Sequence, residues 1–500
     1  MPREADIRDG QSAAPQGGLG LSVAEIRAFL AQGALLSPGF ESGEAAEEAV
    51  AVASVATDSR AVRPQSLFVA LRGPRHDGND FAREALGRGA VAAIVASDRA
   101  RALRAETLLA GTEGILLPVA DAYAALGAVA RGLRLKRNLR VLAVTGSVGK
   151  TTVKEMARAI LEFSRPGHVL ATAGNFNNRV GLPLSLLSWK TGQTVAALEL
   201  GASDFGEIAE LSAIALPDAA LVTKVAAAHL DNFGDLAGVA RAKGEIFKGL
   251  GETGVALVNL SDPYLAPWAQ KFSGPTLTFG KAGSGAEVLT LSRNELASGE
   301  GQEIELSAPA FRGQKVRARL WARGEAGAEC ALAAAAGAIA LGAGPEEIRF
   351  GLESFRPLAG RGESFLTSRG LWVVDESYNA CPASMEALVG TAARFPGRAL
   401  FLLGDMLELG EAEAGEHLAL GRRLAAAGAA FVVLVGERAA LIGEGALAGG
   451  MEPARVYRAS SPAAAAQKIL SVARAGDAAW VKGSRAAGLE KAVAHLRLEG

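Results

Sequence analysis

A glycine-rich run at residues 145–152, TGSVGKTT, has the residue types and spacing of a loop that binds the phosphates of a nucleoside triphosphate. It follows the apolar run 141–144, typical of a buried parallel strand, and precedes a predicted helix opened by Thr151 and Thr152. The glycines let backbone N–H groups approach an anion, and the helix N-terminus adds its positive end. Lys150 would neutralise the β- and γ-phosphates, and the Thr151 hydroxyl would reach Mg²⁺. The predicted nucleotide contacts are Gly146, Ser147, Val148, Gly149, Lys150, Thr151 and Thr152.

The spacing of this loop is shorter than the common one. The pattern G-x-x-x-x-G-K-[ST] would place a glycine at position 144, where this chain has Val144, and the run here reads G-x-x-G-K-T. A glycine-rich turn ahead of a helix is the alternative interpretation. We favour the phosphate loop because the strand, the glycines, the lysine, the two threonines and the helix coincide.

Phosphoryl transfer also needs a metal ion to offset charge, and three residues are candidates to support it. Glu199 lies in the apolar run 195–200, where it would emerge at the ligand-binding edge of the sheet, unless it is simply an exposed strand-end glutamate. His229 follows the predicted strand 219–225 and could be a second ligand, although a lone histidine is more often packed or capping. Lys243 lies on an amphipathic helical pattern, which favours a solvated lysine. A buried lysine can instead react with CO₂ to form a carbamate anion.

The length of 500 residues suggests about three domains. Residues 1–20 are polar and rich in Gly, Pro and Gln, which predicts a disordered tail. An α/β region at 21–138 precedes a central region at 139–350, where apolar runs alternate with helical patterns and predict a parallel sheet covered by helices on both faces. Within it, the segment 289–320 predicts antiparallel strands. A third α/β region is predicted at 351–500.

Individual elements are predicted from the same patterns. The basic run 133–140 is interpreted as a turn-like connector. The uncharged, Ala/Gly-rich run 330–345 is interpreted as a packed helix that is too short to span a bilayer. A helix is predicted at 81–89, followed by the apolar run 90–96. Apolar runs predict strands at 49–55, 66–71, 141–144, 195–200, 219–225, 255–259, 371–374, 399–403, 431–435 and 478–481.

The overall composition excludes several classes of protein. A net charge of -1 and an aromatic content of 5% argue against a nucleic-acid partner, which needs a basic surface and rings for base stacking. Two cysteines, Cys330 and Cys381, cannot form a disulfide framework and favour a reducing compartment. The N-terminal residues lack the pattern of a signal peptide. We therefore expect a cytoplasmic protein without a membrane span, and nothing in the sequence demands more than a monomer.

The order of the motifs resembles the Mur ligase family, ATP-dependent enzymes that form amide bonds in the synthesis of peptidoglycan precursors. The resemblance runs from about residue 21 to the end of the chain. Residues 57–60 (TDSR) resemble the family's uridine-nucleotide-binding region, although alone they would be interpreted as a surface turn. This implies substrate contacts from Ser59 and Arg60. Residues 172–184 (TAGNFNNRVGLPL) resemble its substrate loop, which implies contacts from Asn175, Asn177 and Asn178.

The resemblance also implies roles around the reacting phosphate. The Gly-Arg pair at 360–361 implies an arginine that reaches an ATP phosphate, and the lysine of AKGEI implies a carbamylated Lys243. The implied metal ligands are Thr151, Glu199 and His229. The implied catalytic residues are Lys150, Glu199, His229, Lys243 and Arg361. The run 375–385 (DESYNACPASM) resembles a loop near nucleotide and amine, which implies a nucleotide contact from Asp375 and substrate contacts from Asn379 and Ser384.

Two further motifs, GDMLELG at 404–410 and VKGSR at 481–485, are typical of the branch that joins D-alanyl-D-alanine to UDP-N-acetylmuramoyl-tripeptide. The resemblance thus implies those two molecules as partners and ATP and Mg²⁺ as cofactors. It implies an α/β fold of three domains, with a central phosphate-loop ATPase-type parallel sheet and a Rossmann-like C-terminal domain. The alternatives are another amide ligase of the superfamily, a phosphate-loop NTPase that acts on a partner, and a nucleotide-binding regulator without ligase activity.

Three features depart from the family pattern. The stretch 324–330 has Ala326, Gly327 and Cys330 where a histidine and two asparagines that help to hold adenine are usual. Lys224 and Cys381 each stand where an asparagine is usual. The way in which adenine is held therefore stays open, as do the third residue of the peptide and the carbamylation of Lys243.

Overall fold

The N-terminal part of the chain enters the first core earlier than predicted. The computed structural model describes residues 18–37, 49–109, 114–296 and 300–500, so residues 1–17 of the predicted tail lie outside the described residues. Leu19 is fully buried, and its carbonyl oxygen accepts a hydrogen bond from Arg137 at 2.5 Å. The end of the predicted tail is therefore packed structure.

The first region contains short strands and helices. In its described residues the strands are β1 (Leu21–Ser22), β2 (Ala51–Val52), β3 (Ser54–Ala56), β4 (Ser66–Val69), β5 (Ala90–Ala96) and β6 (Ile115–Val119). The helices are α1 (Val23–Gln32), α2 (Ala82–Gly87), α3 (Ala100–Leu109) and α4 (Ala122–Arg137). Strands β3-β4-β5-β6 form a parallel sheet in that order, and β1 pairs with β2 antiparallel. The prediction of one strand at 49–55 is wrong, because these residues divide between two sheets.

The central region is built on one large sheet. Its described strands are β7 (Arg140–Thr145), β8 (Val169–Ala171), β9 (Val195–Glu199), β10 (Ala219–Val222), β11 (Val255–Asn259), β12 (Thr276–Lys281), β13 (Val288–Glu295), β14 (Gln302–Ser307) and β15 (Lys315–Leu320). Their order is β15-β14-β13-β12-β11-β10-β7-β9-β8. Strands β7 to β13 run parallel, and β14 and β15 are antiparallel additions, which confirms the antiparallel segment predicted at 289–320.

Helices cover both faces of this sheet. They are α5 (Lys150–Ser164), α6 (Gly181–Leu187), α7 (Glu207–Ala215), α8 (Leu230–Phe233), α9 (Leu236–Gly244), α10 (Trp268–Lys271), α11 (Gly324–Ala340) and α12 (Pro345–Ser354). Alternate residues of β7 face opposite cores: Val141 and Ala143 pack in one, Leu142 and Val144 in the other. This two-sided burial is why the strand has a continuous apolar sequence.

The predicted connector at 133–140 is wrong, because most of it is the end of α4. Leu133 and Arg134 are buried whereas Leu135 and Lys136 are exposed, so the basic run lies on an amphipathic helix. Arg134 pairs with Asp218 at 2.8 Å and joins this helix to the central region. The helix ends at Asn138, which takes a left-handed conformation at φ +48°.

The expected domain boundary at 350 falls inside α12. Ile348 and Leu352 are buried in the core of the central region. A Cβ at Gly351 would lie 2.3 Å from the Cα of Ile160, so α12 packs closely on α5 through this glycine. The helix therefore packs as part of the central region up to Ser354.

The third region is a separate, mostly parallel sheet. Its strands are β16 (Glu363–Leu366), β17 (Trp372–Glu376), β18 (Ala399–Gly404), β19 (Phe431–Val435), β20 (Val456–Ala459) and β21 (Ala478–Lys482), in the order β16-β17-β21-β18-β19-β20. Only β16 is antiparallel within the described residues. The helices α13 (Pro382–Ala392), α14 (Glu413–Ala426), α15 (Ala439–Ala448), α16 (Pro462–Val472) and α17 (Glu490–Glu499) cover two apolar cores. Across the described ranges, no helix has the length and hydropathy needed to cross a bilayer.

Candidate active site

Two glycines shape the phosphate loop between β7 and α5. Gly146 (φ +142°) and Gly149 (φ +86°) adopt backbone conformations that other residues rarely take. A Cβ at Gly146 would lie 2.1 Å from the Thr223 hydroxyl oxygen, so this position requires glycine. The helix begins at Lys150, one residue before the predicted start, with Gly149 as its N-cap. The positive end of a helix of 15 residues therefore opens at the loop, as anion binding requires.

The loop is held from behind by the residues that follow β10. The Thr223 hydroxyl donates to the carbonyl oxygen of Val148 at 2.6 Å, and the Ser147 N–H donates to the carbonyl oxygen of Lys224 at 2.8 Å. The Ser147 hydroxyl oxygen accepts from the Ala226 N–H at 3.0 Å. The loop is thus fixed in shape, and the Ser147 N–H is already engaged by the protein.

Thr151 and Glu199 meet in the interior beside the loop. The Thr151 hydroxyl donates to Glu199 Oε2 at 2.6 Å, and the Asn177 amide donates to Oε1 at 2.7 Å. Thr151 and Glu199 are only 3% and 1% exposed. The two residues come together because β7 and β9 are adjacent parallel strands that pair Val144 with Glu199, so their carboxyl ends share one edge.

The donor set at this edge fits Mg²⁺. A carboxylate and a hydroxyl supply the hard oxygen ligands that Mg²⁺ prefers, and the remaining positions are commonly filled by water and substrate phosphate. Among the described residues, no three His, Cys, Asp or Glu side chains cluster so as to hold a metal by themselves. Thr151 and Glu199 are therefore suited to a metal that also binds the nucleotide.

Lys150 lies at the mouth of the same loop. Its Nζ donates to the carbonyl oxygen of Gly146 at 2.8 Å. Burial lowers the pKa of Lys150 from its usual value, and the positive charge of Arg361 acts in the same direction, while Glu199 opposes the shift. These interactions place Lys150, Glu199 and Arg361 in one electrostatic neighbourhood, as expected for a shared anionic ligand.

His229 is held by a residue of the third region. It is the N-cap of α8 and has a left-handed backbone at φ +52°. Its Nδ1 lies 2.7 Å from Glu408 Oε2, and its ring meets the Phe233 ring edge-on at 6.2 Å. The structure does not join His229 to Thr151 and Glu199 by any direct contact among the described residues.

Lys243 is buried and not solvated. Only 2% of the residue is exposed, and its Nζ donates to the carbonyl oxygen of Ala202 at 3.0 Å. Its Nζ also lies 5.2 Å from the centre of the Phe233 ring, the same ring that His229 contacts. Burial lowers the pKa of Lys243 to about 7, with help from the charge of Lys150 and against Glu207 and Glu245. A neutral amine, the form that reacts with CO₂, is therefore populated near neutral pH.

Asp375 organises the turn that carries Arg361. Its buried carboxylate accepts from the Gly360 N–H at 2.7 Å and from the Ser377 N–H at 3.0 Å. Gly360 has φ +75°, and the Arg361 guanidinium lies 3.7 Å from the centre of the Tyr378 ring. Each oxygen of Asp375 thus accepts a hydrogen bond from a backbone N–H group, and the carboxylate holds this turn in shape.

Among the predicted substrate residues of the central and third regions, Asn177 alone contacts the Glu199 carboxylate. Asn178 Oδ1 accepts from the N–H of Val180 and of Gly181 at the start of α6, at 3.1 Å and 2.8 Å. Asn175 is half-buried, and Asn379 is exposed. The Ser384 hydroxyl accepts from the Cys381 N–H at 3.0 Å and caps α13.

The predicted uridine-binding residues lie in the first region. Ser59 is buried and begins a short turn, whose preceding residue Asp58 accepts from the Arg60 N–H at 2.9 Å. The Arg60 guanidinium pairs with Asp58 at 2.6 Å, and 73% of its side chain is exposed. This pair lowers the pKa of Asp58 through the Arg60 hydrogen bond. No described contact joins Ser59 or Arg60 to the phosphate loop.

The start of α11 carries charged residues beside the three positions where the family pattern has a histidine and two asparagines. Lys224 Nζ lies 3.3 Å from Glu329 Oε2, and Lys281 Nζ lies 2.9 Å from Oε1 of the same residue and also pairs with Glu325. A Cβ at Gly149 would lie 3.0 Å from Cys330 Sγ, so this thiol packs against the phosphate loop. Burial raises the pKa of Cys330 to about 12.

Three family models match this chain in sequence order. Residues 51–134 match "Mur ligase family, catalytic domain", residues 144–338 match "Mur ligase middle domain", and residues 360–485 match "Mur ligase, glutamate ligase domain". The UDP-N-acetylmuramoyl-tripeptide–D-alanyl-D-alanine ligase of Escherichia coli is 36% identical over 460 residues, which cover 92% of this chain and 96% of the relative. The chain belongs to the Mur ligase family. The Bacillus subtilis protein of the same name is 32% identical over 94% of this chain and 97% of its own length.

Solved structures of Mur ligases share the fold. A MurF crystal structure from Acinetobacter baumannii has a TM-score of 0.77 at 32% identity and covers 89% of this chain and 93% of its own. MurF from Thermotoga maritima, in complex with ADP, also has a TM-score of 0.77, at 29% identity, and covers 89% of this chain and 97% of its own. The predicted three-domain α/β architecture is therefore confirmed.

Two residues that contact predicted site residues of this Mur ligase were not predicted from the sequence: Glu408 contacts His229, and Tyr378 contacts Arg361. Glu408 lies in the GDMLELG motif, which we had used only to choose a branch of the family, and Tyr378 lies in DESYNACPASM. The available signal for Glu408 was a negative charge between two leucines of this motif. Its contact with His229 depends on how two regions meet, which no local pattern encodes.

Proposed function

We propose that this Mur ligase joins D-alanyl-D-alanine to UDP-N-acetylmuramoyl-tripeptide with ATP, through an acyl-phosphate intermediate, and so makes the pentapeptide precursor of peptidoglycan. The observation that carries the proposal is the buried Thr151–Glu199 pair beside Lys150 in the phosphate loop. It lies in a chain that is 36% identical, over 92% of its length, to a relative of that name.

In the first step, a carboxylate oxygen of the tripeptide attacks the γ-phosphorus of ATP, and the bond to the ADP oxygen breaks. Lys150 and Arg361 approach the phosphate from two regions of the chain, and Thr151 and Glu199 would hold Mg²⁺. The metal, when bound, offsets charge on the phosphate oxygens. A carbamate on Lys243 would add an anionic group at a buried position of the central region.

In the second step, the amine of D-alanyl-D-alanine attacks the acyl carbon, and inorganic phosphate leaves. A carboxylate is a poor electrophile, and phosphorylation supplies the leaving group it lacks. Water would hydrolyse the acyl phosphate, so the three regions must exclude it from the site. The His229–Glu408 contact between the central and third regions supports such a closed arrangement.

The remaining assignments belong to the same proposal. Ser59 and Arg60 bind the uridine nucleotide, and Asn175, Asn177, Asn178, Asn379 and Ser384 line the path of the peptide and amine. Asp375 supports the nucleotide site through the Arg361 turn. The domains are 21–138, a central domain from 139 extended to the end of α12 at Ser354, and the remainder to 500. The enzyme works in the cytoplasm as a monomer.

Phosphate release from ATP tests this proposal. Purified protein with Mg²⁺ and UDP-N-acetylmuramoyl-tripeptide should release phosphate in proportion to added D-alanyl-D-alanine, and single amino acids should not replace the dipeptide. A preference for a single amino acid would assign the chain to another amide-forming branch. Steady phosphate release that does not depend on either peptide substrate would indicate an NTPase. ATP binding without any turnover would indicate a nucleotide-binding regulator.

A further inference from the structure

Glu408 and His229 form a specific contact between two regions of the chain. Glu408 follows β18 in the third region, and His229 precedes α8 in the central region. The distance between His229 Nδ1 and Glu408 Oε2 is 2.7 Å.

Both residues have left-handed backbones, at φ +52° for His229 and φ +63° for Glu408. Only seven non-glycine residues of the described ranges have positive φ, and two of them meet here. Such backbones persist where the surrounding structure holds them, and they concentrate at functional sites. A second close approach joins the same two segments, because a Cβ at Gly410 would lie 2.7 Å from Asp231 Oδ1.

The segment that presents Glu408 is anchored in the third region. The Met406 N–H donates to His417 Nε2 at 3.0 Å, and the Leu407 N–H donates to the Ser484 hydroxyl oxygen at 3.2 Å. His417 is fully buried, and Ser484 is 2% exposed. The backbone next to Glu408 is therefore fixed by buried hydrogen-bond partners, and this fixes the position from which Glu408 contacts His229.

The contact fixes which nitrogen of His229 is free. A histidine that ligates a metal commonly donates its other ring N–H to a carboxylate, which sets the tautomer and the ring orientation. Glu408 engages Nδ1, and Nε2 of His229 has no hydrogen-bond partner among the described residues. The edge-on Phe233 ring limits rotation of the imidazole from another side.

We propose that Glu408 is a positioning residue that holds His229 with Nε2 free for a divalent cation, so that the third region completes the metal site when it meets the central region. This inference rests on the proposed function, because it takes His229 as a metal ligand. Under this inference, Glu408 of the GDMLELG motif supports the reaction by orienting His229 and does not need to contact substrate.

Mn²⁺ binding, followed by electron paramagnetic resonance in the presence of ADP, tests the inference without turnover. The variants are Glu408→Ala, Glu408→Gln, His229→Ala and the matched control Glu411→Ala, an exposed glutamate three residues further along the chain. We expect Glu408→Ala to weaken the His229-dependent Mn²⁺ site by roughly 10–100-fold. Glu408→Gln should bind almost as wild type, because its amide oxygen still accepts from Nδ1–H, and Glu411→Ala should match wild type.

A metal-free readout separates positioning from general damage. Long-range proton–nitrogen NMR of the histidines, with His229→Ala for assignment, should show His229 as the Nδ1–H form at mildly alkaline pH in wild type and Glu408→Gln. Glu408→Ala should lose that preference, while its thermal unfolding stays at the wild-type midpoint.

The contradicting outcomes are distinct. If Glu408→Ala binds Mn²⁺ with wild-type affinity while His229→Ala loses Mn²⁺ binding, this inference is overturned. The metal role of His229 would then still stand. Unchanged Mn²⁺ binding in His229→Ala would remove that role from the proposed function as well. An equal rise in KM for D-alanyl-D-alanine in both Glu408 variants, with Mn²⁺ binding intact, would overturn the inference in favour of a direct contact with the amine.

Discussion

The Thr151 hydroxyl donates to the Glu199 carboxylate across 2.6 Å, and both side chains are almost completely buried. One residue comes from the first turn after the phosphate loop and the other from the end of the neighbouring strand. A buried carboxylate whose partner is a neutral hydroxyl can still bind a cation, and we therefore propose that Mg²⁺ binds at this pair.

Replacement of Glu199 tests that position. We expect Glu199→Gln to raise the Mg²⁺ concentration needed for half-maximal turnover by at least about 100-fold, since even partners behind metal ligands contribute roughly 10–100-fold. Titration of Mg²⁺ at saturating ATP measures the effect. The exposed Glu252→Gln serves as the matched control. Equal Mg²⁺ dependence in both variants would contradict the assignment.

Lys150 should be needed for the chemical step. Lys150→Ala removes the charge that the loop offers to the phosphate, and we expect product formation to fall by at least about 1,000-fold, as for other charged groups that stabilise a transferring phosphoryl group. Product mass and phosphate release measure it, with the exposed Lys190→Ala as control. Full activity of Lys150→Ala would refute the role given to the loop.

Lys243 should make activity depend on CO₂ and on pH. Because burial lowers the pKa of Lys243 to about 7, the neutral amine that reacts with CO₂ dominates above that pH and is lost below it. Enzyme depleted of CO₂ should be inactive and should recover with bicarbonate, faster as the pH rises through about 7. Lys243→Arg should not recover, because a guanidinium stays protonated. Bicarbonate-independent activity of the wild type would contradict carbamylation.

The same lowered pKa predicts how stability changes with pH. Between about 7 and the ordinary lysine value of about 10.4, the unfolded chain binds this proton and the folded chain does not, so the contribution of Lys243 to stability rises with pH in that window. Denaturant unfolding should show Lys243→Met more stable than wild type near pH 6, by a margin that narrows towards pH 10. If the difference in the free energy of unfolding between Lys243→Met and wild type does not change with pH, the pKa of Lys243 is not lowered in the folded protein.

Asp375 should act through Arg361. Asp375→Asn replaces one acceptor of two backbone hydrogen bonds by a donor, so we expect it to lower the free energy of unfolding by about 1–3 kcal/mol and to reduce activity. In Arg361→Met, adding Asp375→Asn should reduce kcat little further, because the guanidinium that the turn positions is already gone. If the losses of kcat in the two single variants multiply in the double variant, Asp375 has a separate role at the nucleotide.

Cys330 should be slow to react. Burial raises the pKa of this thiol to about 12, so little thiolate, the reactive form, exists near pH 8. In Cys381→Ala, where Cys330 is the remaining thiol, labelling by a disulfide reagent should require unfolding. Rapid labelling of the native variant would show that the thiol beside Gly149 is accessible.

The sequence predicted those strands and site residues whose structure depends on residues nearby in the chain. Strands β11 and β19 were placed at their observed bounds because strands buried on both faces leave apolar runs of defined length. The phosphate loop and Glu199 were predicted from two other buried strands, β7 and β9. The α4 helix was missed because Arg134 is buried by pairing with Asp218, far along the chain, which a basic run does not disclose.

The rest of the site depends on how separate regions meet. Sequence patterns alone favoured a solvated Lys243, whereas the structure shows it buried, and the carbamate implied by the resemblance stays a prediction. The nucleotide contact predicted for Asp375 stays a prediction, and the hydrogen bond from the Gly360 N–H to its carboxylate is a contact that no spacing encodes. The boundary predicted at 350 falls inside α12 because Ile348 and Leu352 pack in the central core and Gly351 packs closely on α5, contacts that the local sequence does not encode.

The transfer of oxygen from peptide to phosphate tests the central claim most directly. UDP-N-acetylmuramoyl-tripeptide labelled with heavy oxygen in its terminal carboxylate is incubated with ATP, Mg²⁺ and D-alanyl-D-alanine, and the products are analysed by mass spectrometry. An acyl-phosphate ligase predicts UDP-N-acetylmuramoyl-pentapeptide together with inorganic phosphate that carries one labelled oxygen. Unlabelled phosphate without pentapeptide would contradict the ligase assignment.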